Sequence, residues 1–125
     1  MARTRESVKK EEVKRPAEVV IAVEAALERN ARDAALLDLR GLSDATDWFL
    51  IANGDSDTHT RAIAENIIDR MREAGFRPAG VEGKASASWI LLDYITLVIH
   101  VFLPRVRDYY DLERLWGDAP ALAVE

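Results

Sequence analysis

The sequence contains no cysteine. That removes disulfides, thiol nucleophiles and thiolate metal ligands, and it fits a reducing compartment. Histidine is nearly as scarce: His59 and His100 are the only two, so a zinc site would need an unusual set of carboxylates. Long apolar runs are missing as well. The longest are Trp48–Ala52 and Ile95–Leu103, the second broken by Thr96 and His100, and both fall far short of the roughly 20 residues of a bilayer span. The N-terminus is charged and has no apolar h-region, which argues against a secretion signal and makes the cytoplasm the default location. Repeats and low-complexity linkers are also lacking. A chain of 125 residues forms one domain, large enough to bury roughly two-thirds of the surface its unfolded chain exposes.

Charge is present in quantity but unevenly spread. Residues 1–15 hold six Lys/Arg against three Glu, so the remainder carries about −8 of the total −5. A body this acidic is a poor reader of phosphate backbones, which demand clustered Lys and Arg. It suits a basic protein partner, because opposite net charge speeds encounter. Residues 1–15 read as a flexible charged arm and residues 121–125 as a flexible tail.

Between them the pattern predicts alternating helices and strands. Pro16 opens a helix to about Arg29 with Val19, Val20, Val23, Ala26 and Leu27 as its apolar stripe, and Asn30 stops it. Ala34–Leu39 and Asp47–Asn53 read as short buried strands either side of a turn at Gly41–Asp44. Ser56, Asp57 or Thr58 caps a second helix running to about Ala74, with Ile63, Ala64, Ile67, Ile68 and Met71 on one face and Gly75 at its end. Phe76–Val81, interrupted by Pro78, reads as an edge strand. Ser88–Tyr94 and Leu97–Phe102 form a hairpin in which 93 faces 98, 91 faces 100 and 89 faces 102. Ile95-Thr96 is unsuited to a primed turn, which wants φ > 0, so a wider loop including Tyr94 and Leu97 is expected. One hairpin face is then Ile90, Leu92, Ile99 and Val101; the other collects Trp89, Leu91, Asp93, Val98, His100 and Phe102. A last helix spans about Arg105–Trp116, with Val106, Tyr109, Leu112, Leu115 and Trp116 on one stripe.

Two groups of residues raise the question of chemistry. Asp93 and His100 are diagonal neighbours on one hairpin face, and a carboxylate can orient an imidazole. No Ser, Thr or Cys of the hairpin stands beside them as a nucleophile, so a structural pair or a partner contact is the simpler reading. Gly54-Asp55-Ser56-Asp57 precedes a helix N-terminus, which offers free amides to anions. Two aspartates there would repel a phosphate unless magnesium bridged them, and a helix cap explains the same residues without a ligand. The aromatic side chains concentrate in the last third, at Trp89, Tyr94, Phe102, Tyr109, Tyr110 and Trp116. Tyr and Trp lead among the residues that dominate interfaces energetically.

Thr46-Asp47-Trp48-Phe49-Leu50-Ile51-Ala52-Asn53-Gly54, followed by His59 and Ala62-Ile63-Ala64, forms one block of a larger pattern. Glu82-Gly83, Trp89-Ile90-Leu91-Leu92-Asp93-Tyr94 and Val98-Ile99-His100-Val101-Phe102 form the next. The last is Tyr109-Tyr110-Asp111-Leu112-Glu113-Arg114-Leu115-Trp116 with Asp118-Ala119-Pro120. In this order, over about residues 16–120, the set resembles the ribosomal silencing factor family, also called Iojap-like. The resemblance implies an α/β domain with a mixed β-sheet of about five strands packed with helices, nucleotidyltransferase-like but without the catalytic carboxylates. It implies a non-enzymatic translation repressor, without cofactor or metal, that binds the large ribosomal subunit on the protein numbered fourteen at its joining face. There it would sterically block the small subunit when nutrients are scarce, and it would form a homodimer when free. Neither a membrane nor direct sequence-specific nucleic-acid binding is implied. The expected partner-binding residues are Trp89, Leu91, Asp93, Tyr94, His100 and Phe102, with Trp89 and Leu91 as apolar anchors, Asp93 pairing with a basic group and His100 holding the face in place. The alternative is a degenerate nucleotidyltransferase-like domain that still binds nucleotide through Asp55, Asp57 and Asp93.

Overall fold

The computed structural model describes residues 15–117, 119 and 121–123. Helix α1 spans Ala17–Glu28, entered from Pro16 at φ −56° and ψ 151°, and Asn30 at φ 60° turns the chain out of it. The side chains it buries are Val19, Ala22, Ala25 and Ala26. The stripe therefore runs over alanines rather than over Val20 and Leu27, since small side chains allow the helix to approach its neighbours closely. Strand β1 (Arg32–Asp38) and strand β2 (Trp48–Asn53) pair antiparallel, with Leu36 opposite Leu50 and Leu37 opposite Phe49. Helix α2 (Asp57–Glu73) starts at Ser56, whose hydroxyl accepts the His59 amide N–H at 3.1 Å. It buries Thr60, Ile63, Ala64, Ile67 and Met71.

Strand β3 (Gly80–Glu82) is a short edge strand that starts two residues after Pro78, since proline cannot donate to the ladder. Gly83 follows at φ +88°, and a Cβ there would meet the Trp89 carbonyl oxygen at 2.0 Å. Only glycine lets this loop lie against the start of strand β4 (Trp89–Asp93). Strand β5 (Leu97–Phe102) returns antiparallel with Trp89 opposite Phe102, Leu91 opposite His100 and Asp93 opposite Val98. The turn takes in Tyr94 and Leu97, closed by a 2.8 Å bond from the Tyr94 N–H to the Leu97 carbonyl, and it holds Ile95 at φ 72°. β5 also runs parallel to β2, placing Phe49 beside Val98 and Ile51 beside His100.

Strand β6 (Ala121–Ala123) adds to the outer side of β1, with Leu122 opposite Leu36. These three residues belong to the sheet and not to a flexible tail, because β1 would otherwise present an open row of backbone donors and acceptors. Among the described residues the sheet thus has six strands, one more than the pattern predicts, in the order β3-β4-β5-β2-β1-β6. Residues 1–14 of the basic arm, and 124–125, lie outside the described residues. Helices α1 and α2 cover one face of the sheet, where Leu36, Leu50, Ile90, Leu92, Leu97, Ile99 and Val101 are all fully buried. No helix among the described residues is long and apolar enough to cross a membrane.

Candidate docking face

Among the described residues, the opposite face of the sheet is only half covered. Two short helices, α3 (Pro104–Tyr110) and α4 (Leu112–Leu115), lie over one end of it. A single helix over Arg105–Trp116 is not formed: Asp111 takes the left-handed conformation at φ 49°, ψ 57° and breaks it. The break redirects the apolar stripe. Val106, Leu112 and Trp116 pack down onto Leu37, Leu39, Ile51, Phe102 and Ala119, whereas Tyr109 and Leu115 turn outward, 81% and 73% exposed. Arg107 secures the arrangement. Its side chain is 11% exposed and donates to the Asp33 carbonyl at 2.6 Å, to Asn53 Oδ1 at 3.0 Å and to the Glu113 carboxylate at 2.7 Å.

Beyond these helices nothing among the described residues covers the far end of the face. Leu91 and Val98 are half-buried and join neither packed cluster. Register puts Asp93 beside Val98, and Glu82 of β3 beside Leu91. The result is a small apolar centre with a carboxylate on two sides. Trp89 stands where the covered and open halves meet. Its ring lies 4.9 Å from that of Phe102 and 4.7 Å from that of Tyr110, which Tyr109 in turn abuts at 5.0 Å. Its indole N–H donates to His100 Nδ1 at 3.1 Å.

Of the six side chains expected to bind a partner, only Trp89, Leu91 and Asp93 reach this surface. His100 is 3% exposed and Phe102 is fully buried, so neither can touch a docked molecule. They form the floor, because the α3 and α4 helices close over the end of the strands. Burial lowers the His100 pKa to about 4, so the ring is neutral. Tyr94 lies on the other side of the sheet altogether, in the core beneath α1 and α2, and burial raises its phenol to about 12. Alternation along β4 puts position 94 on the same side as Ile90 and Leu92, so Tyr94 belongs to the helix-covered core and not to the docking face. Among the described residues Asp93 does not pair with His100; its Oδ1 accepts the Ile95 N–H at 2.8 Å and supports the turn.

The loop before α2 is organised by protein groups. His59 Nδ1 accepts the Asp55 amide N–H at 2.8 Å, and its Nε2 donates to the Arg29 carbonyl at 2.7 Å. Arg32 pairs with Asp55 at 3.0 Å, and Asp57 Oδ1 accepts the Thr58 N–H at 2.8 Å. Among the described residues no three His, Asp or Glu side chains come together as a metal would require.

Comparison with known proteins decides the family. The family model described as "Ribosomal silencing factor during starvation", RsfS, matches residues 12–125. The chain belongs to the RsfS family. A Bacillus subtilis relative named ribosomal silencing factor RsfS is 44% identical over 100 residues, 80% of this chain and 85% of that protein. A mouse relative, mitochondrial assembly of ribosomal large subunit protein 1, is 32% identical over 92 residues, 71% of this chain and 40% of its own length. The crystal structure of a Chromobacterium violaceum protein superposes with a TM-score of 0.79 at 38% identity, covering 86% of this chain and 91% of that one.

On this RsfS-family fold, the blocks of the sequence pattern fall into place. The first is β2, its exit loop and the start of α2, the second is the hairpin with its preceding loop, and the third is the α3–α4 cover. Sequence reasoning missed Glu82 and undervalued Val98. Pairing of β3 beside β4 would have shown Glu82, but β3 has only three residues and its register has no local signal.

Proposed function

We propose that this protein represses translation by binding the large ribosomal subunit through the open half of the β4–β5 face, without catalysing a reaction. Trp89 and Leu91 are the apolar anchors and Asp93 faces a basic group on the partner. The family resemblance names that partner as the ribosomal protein numbered fourteen at the joining face, where a bound domain would obstruct the small subunit in the cytoplasm. The same surface, or the exposed Tyr109 and Leu115, would serve a homodimer when the protein is free. The observation that carries the reading is the half-covered face itself. A leucine and a valine at the centre of the open half, a tryptophan where it meets the cover, and Glu82 and Asp93 at the rim match interfaces whose apolar core is ringed by polar groups. The names of the relatives supply the ribosome and its large subunit.

Sedimentation with separated ribosomal subunits tests it. Trp89→Ala, folded by circular dichroism, is expected to lose large-subunit binding by about 30-fold or more, the equivalent of a hot spot. Undiminished binding by that variant, or binding only to the small subunit, removes the assignment.

A further inference from the structure

We propose that His100 is the positioning residue of the docking face, holding the Trp89 indole in one orientation by accepting its ring N–H. The inference rests on the docking reading above and adds what fixes its anchor.

The geometry is specific. Trp89 and His100 sit diagonally on neighbouring strands, since Trp89 faces Phe102 and Leu91 faces His100. The indole Nε1–H reaches His100 Nδ1 at 3.1 Å. A neutral imidazole that accepts at Nδ1 carries its proton on Nε2. That Nε2 is buried and has no hydrogen-bond partner among the described residues. Around the ring are Phe49 at 4.5 Å, edge-on, and Phe102 at 6.0 Å, nearly parallel. An apolar side chain would pack in these surroundings without leaving a donor unpaired, and a buried unpaired donor costs stability. The site therefore keeps a residue that packing alone does not favour, and its one side-chain hydrogen bond goes to Trp89.

The other contacts of Trp89 cannot do the same work. Phe102 and Tyr110 pack against its ring at 4.9 and 4.7 Å, which limits where the ring sits. Ring packing does not distinguish which edge carries the N–H, and the terminal torsion of an aromatic side chain is broad. The bond to His100 selects one edge inward and presents the other. An anchor oriented before the partner arrives is not ordered at the partner's expense, which for one side chain is worth about two- to tenfold in affinity.

Four proteins test this: the parent, His100→Leu, which removes the acceptor, His100→Asn, which returns an oxygen near the position of Nδ1, and Trp89→Ala. The readouts are the Trp89 indole N–H resonance and its solvent exchange, affinity for purified large ribosomal subunits, and the thermal midpoint. The Trp89 resonance is identified by its loss in Trp89→Ala. In His100→Leu the indole signal is expected to move upfield and exchange faster, and affinity to fall about two- to tenfold, while the midpoint holds or rises; His100→Asn recovers both signal and affinity. An unchanged indole signal, parental affinity in His100→Leu, or an affinity loss that follows a lowered midpoint overturns the proposal. Should His100→Leu not fold, an unprotected Trp89 indole N–H in the parent overturns it. Parental binding by Trp89→Ala defeats the docking reading; loss of binding there with parental binding by His100→Leu defeats only the positioning role.

Discussion

The Arg107 guanidinium forks onto the Glu113 carboxylate across the helix break at Asp111, with nitrogen–oxygen distances of 2.7 and 3.3 Å. The same guanidinium reaches back to Asn53 and to the Asp33 carbonyl, so one side chain ties both short helices to the end of β1 and β2. Helices of seven and four residues have little stability of their own. Arg107→Ala should therefore cost about 2–3 kcal/mol, less than for a fully buried pair because Glu113 remains partly exposed. A urea titration measures this as a lowered midpoint. An unchanged midpoint would mean that the helices are held by apolar contacts alone.

The pH dependence of stability follows from His100. Its pKa in the folded protein, about 4, lies below the ordinary value of 6.5 because burial disfavours the charged ring. The unfolded chain therefore binds a proton that the folded one refuses at intermediate pH. Stability is whole above pH ~6.5 and falls as the pH drops toward ~4, by on the order of 3 kcal/mol at about 1.4 kcal/mol per pH unit. Glu28, hydrogen-bonded to Arg70, and Asp38, hydrogen-bonded to Arg40, have lowered values, so their loss comes at more acid pH. His100→Asn should flatten the profile between pH 4 and 6.5 and leave the more acid decline. A parental slope in that variant would place the titration elsewhere.

Ile95 offers a gain. It is β-branched, 61% exposed and held at φ 72°, a conformation that such side chains rarely adopt. Asparagine tolerates it at lower cost, without the unfolded-state entropy that glycine adds. Ile95→Asn should raise stability by about 1 kcal/mol, read as a higher thermal midpoint. A drop would show that Ile95 makes compensating contacts in the hairpin turn.

The register of the hairpin is legible in the sequence because one-residue alternation of apolar and polar side chains leaves one pairing that buries Ile90, Leu92, Ile99 and Val101 together. The α2 face is legible for the same reason at helical spacing. What periodicity cannot show is where a pattern stops. A left-handed Asp111 turns Tyr109 and Leu115 outward within what reads as one helix, whereas Tyr94 keeps the alternation and shares the helix-covered side with Ile90 and Leu92. β6 has three residues and gains its place only by pairing with β1, more than 80 positions earlier in the chain, which no local pattern records. His100 and Phe102 are on the right face, but their cover comes from helices whose path depends on that break.

Glu82 provides the sharpest test of the partner's charge. It stands at the end of an edge strand, exposed, with its register partner Leu91 in the middle of the open face. Asp93 is less suited to this purpose, since its carboxylate also supports the turn at Ile95. Reversing the charge at Glu82 leaves the core untouched, so Glu82→Lys should change stability by no more than about 0.5 kcal/mol. A basic partner surface attracts the acidic rim mainly during encounter, and a rim charge acts chiefly on the association rate. Glu82→Lys should therefore slow association with large ribosomal subunits about two- to fivefold at low salt, leave dissociation nearly unchanged, and lose most of its effect near 1 M salt, where the screening length is about 3 Å. Faster association by Glu82→Lys would mean that the partner surface facing β3 is acidic and that the docking orientation is wrong.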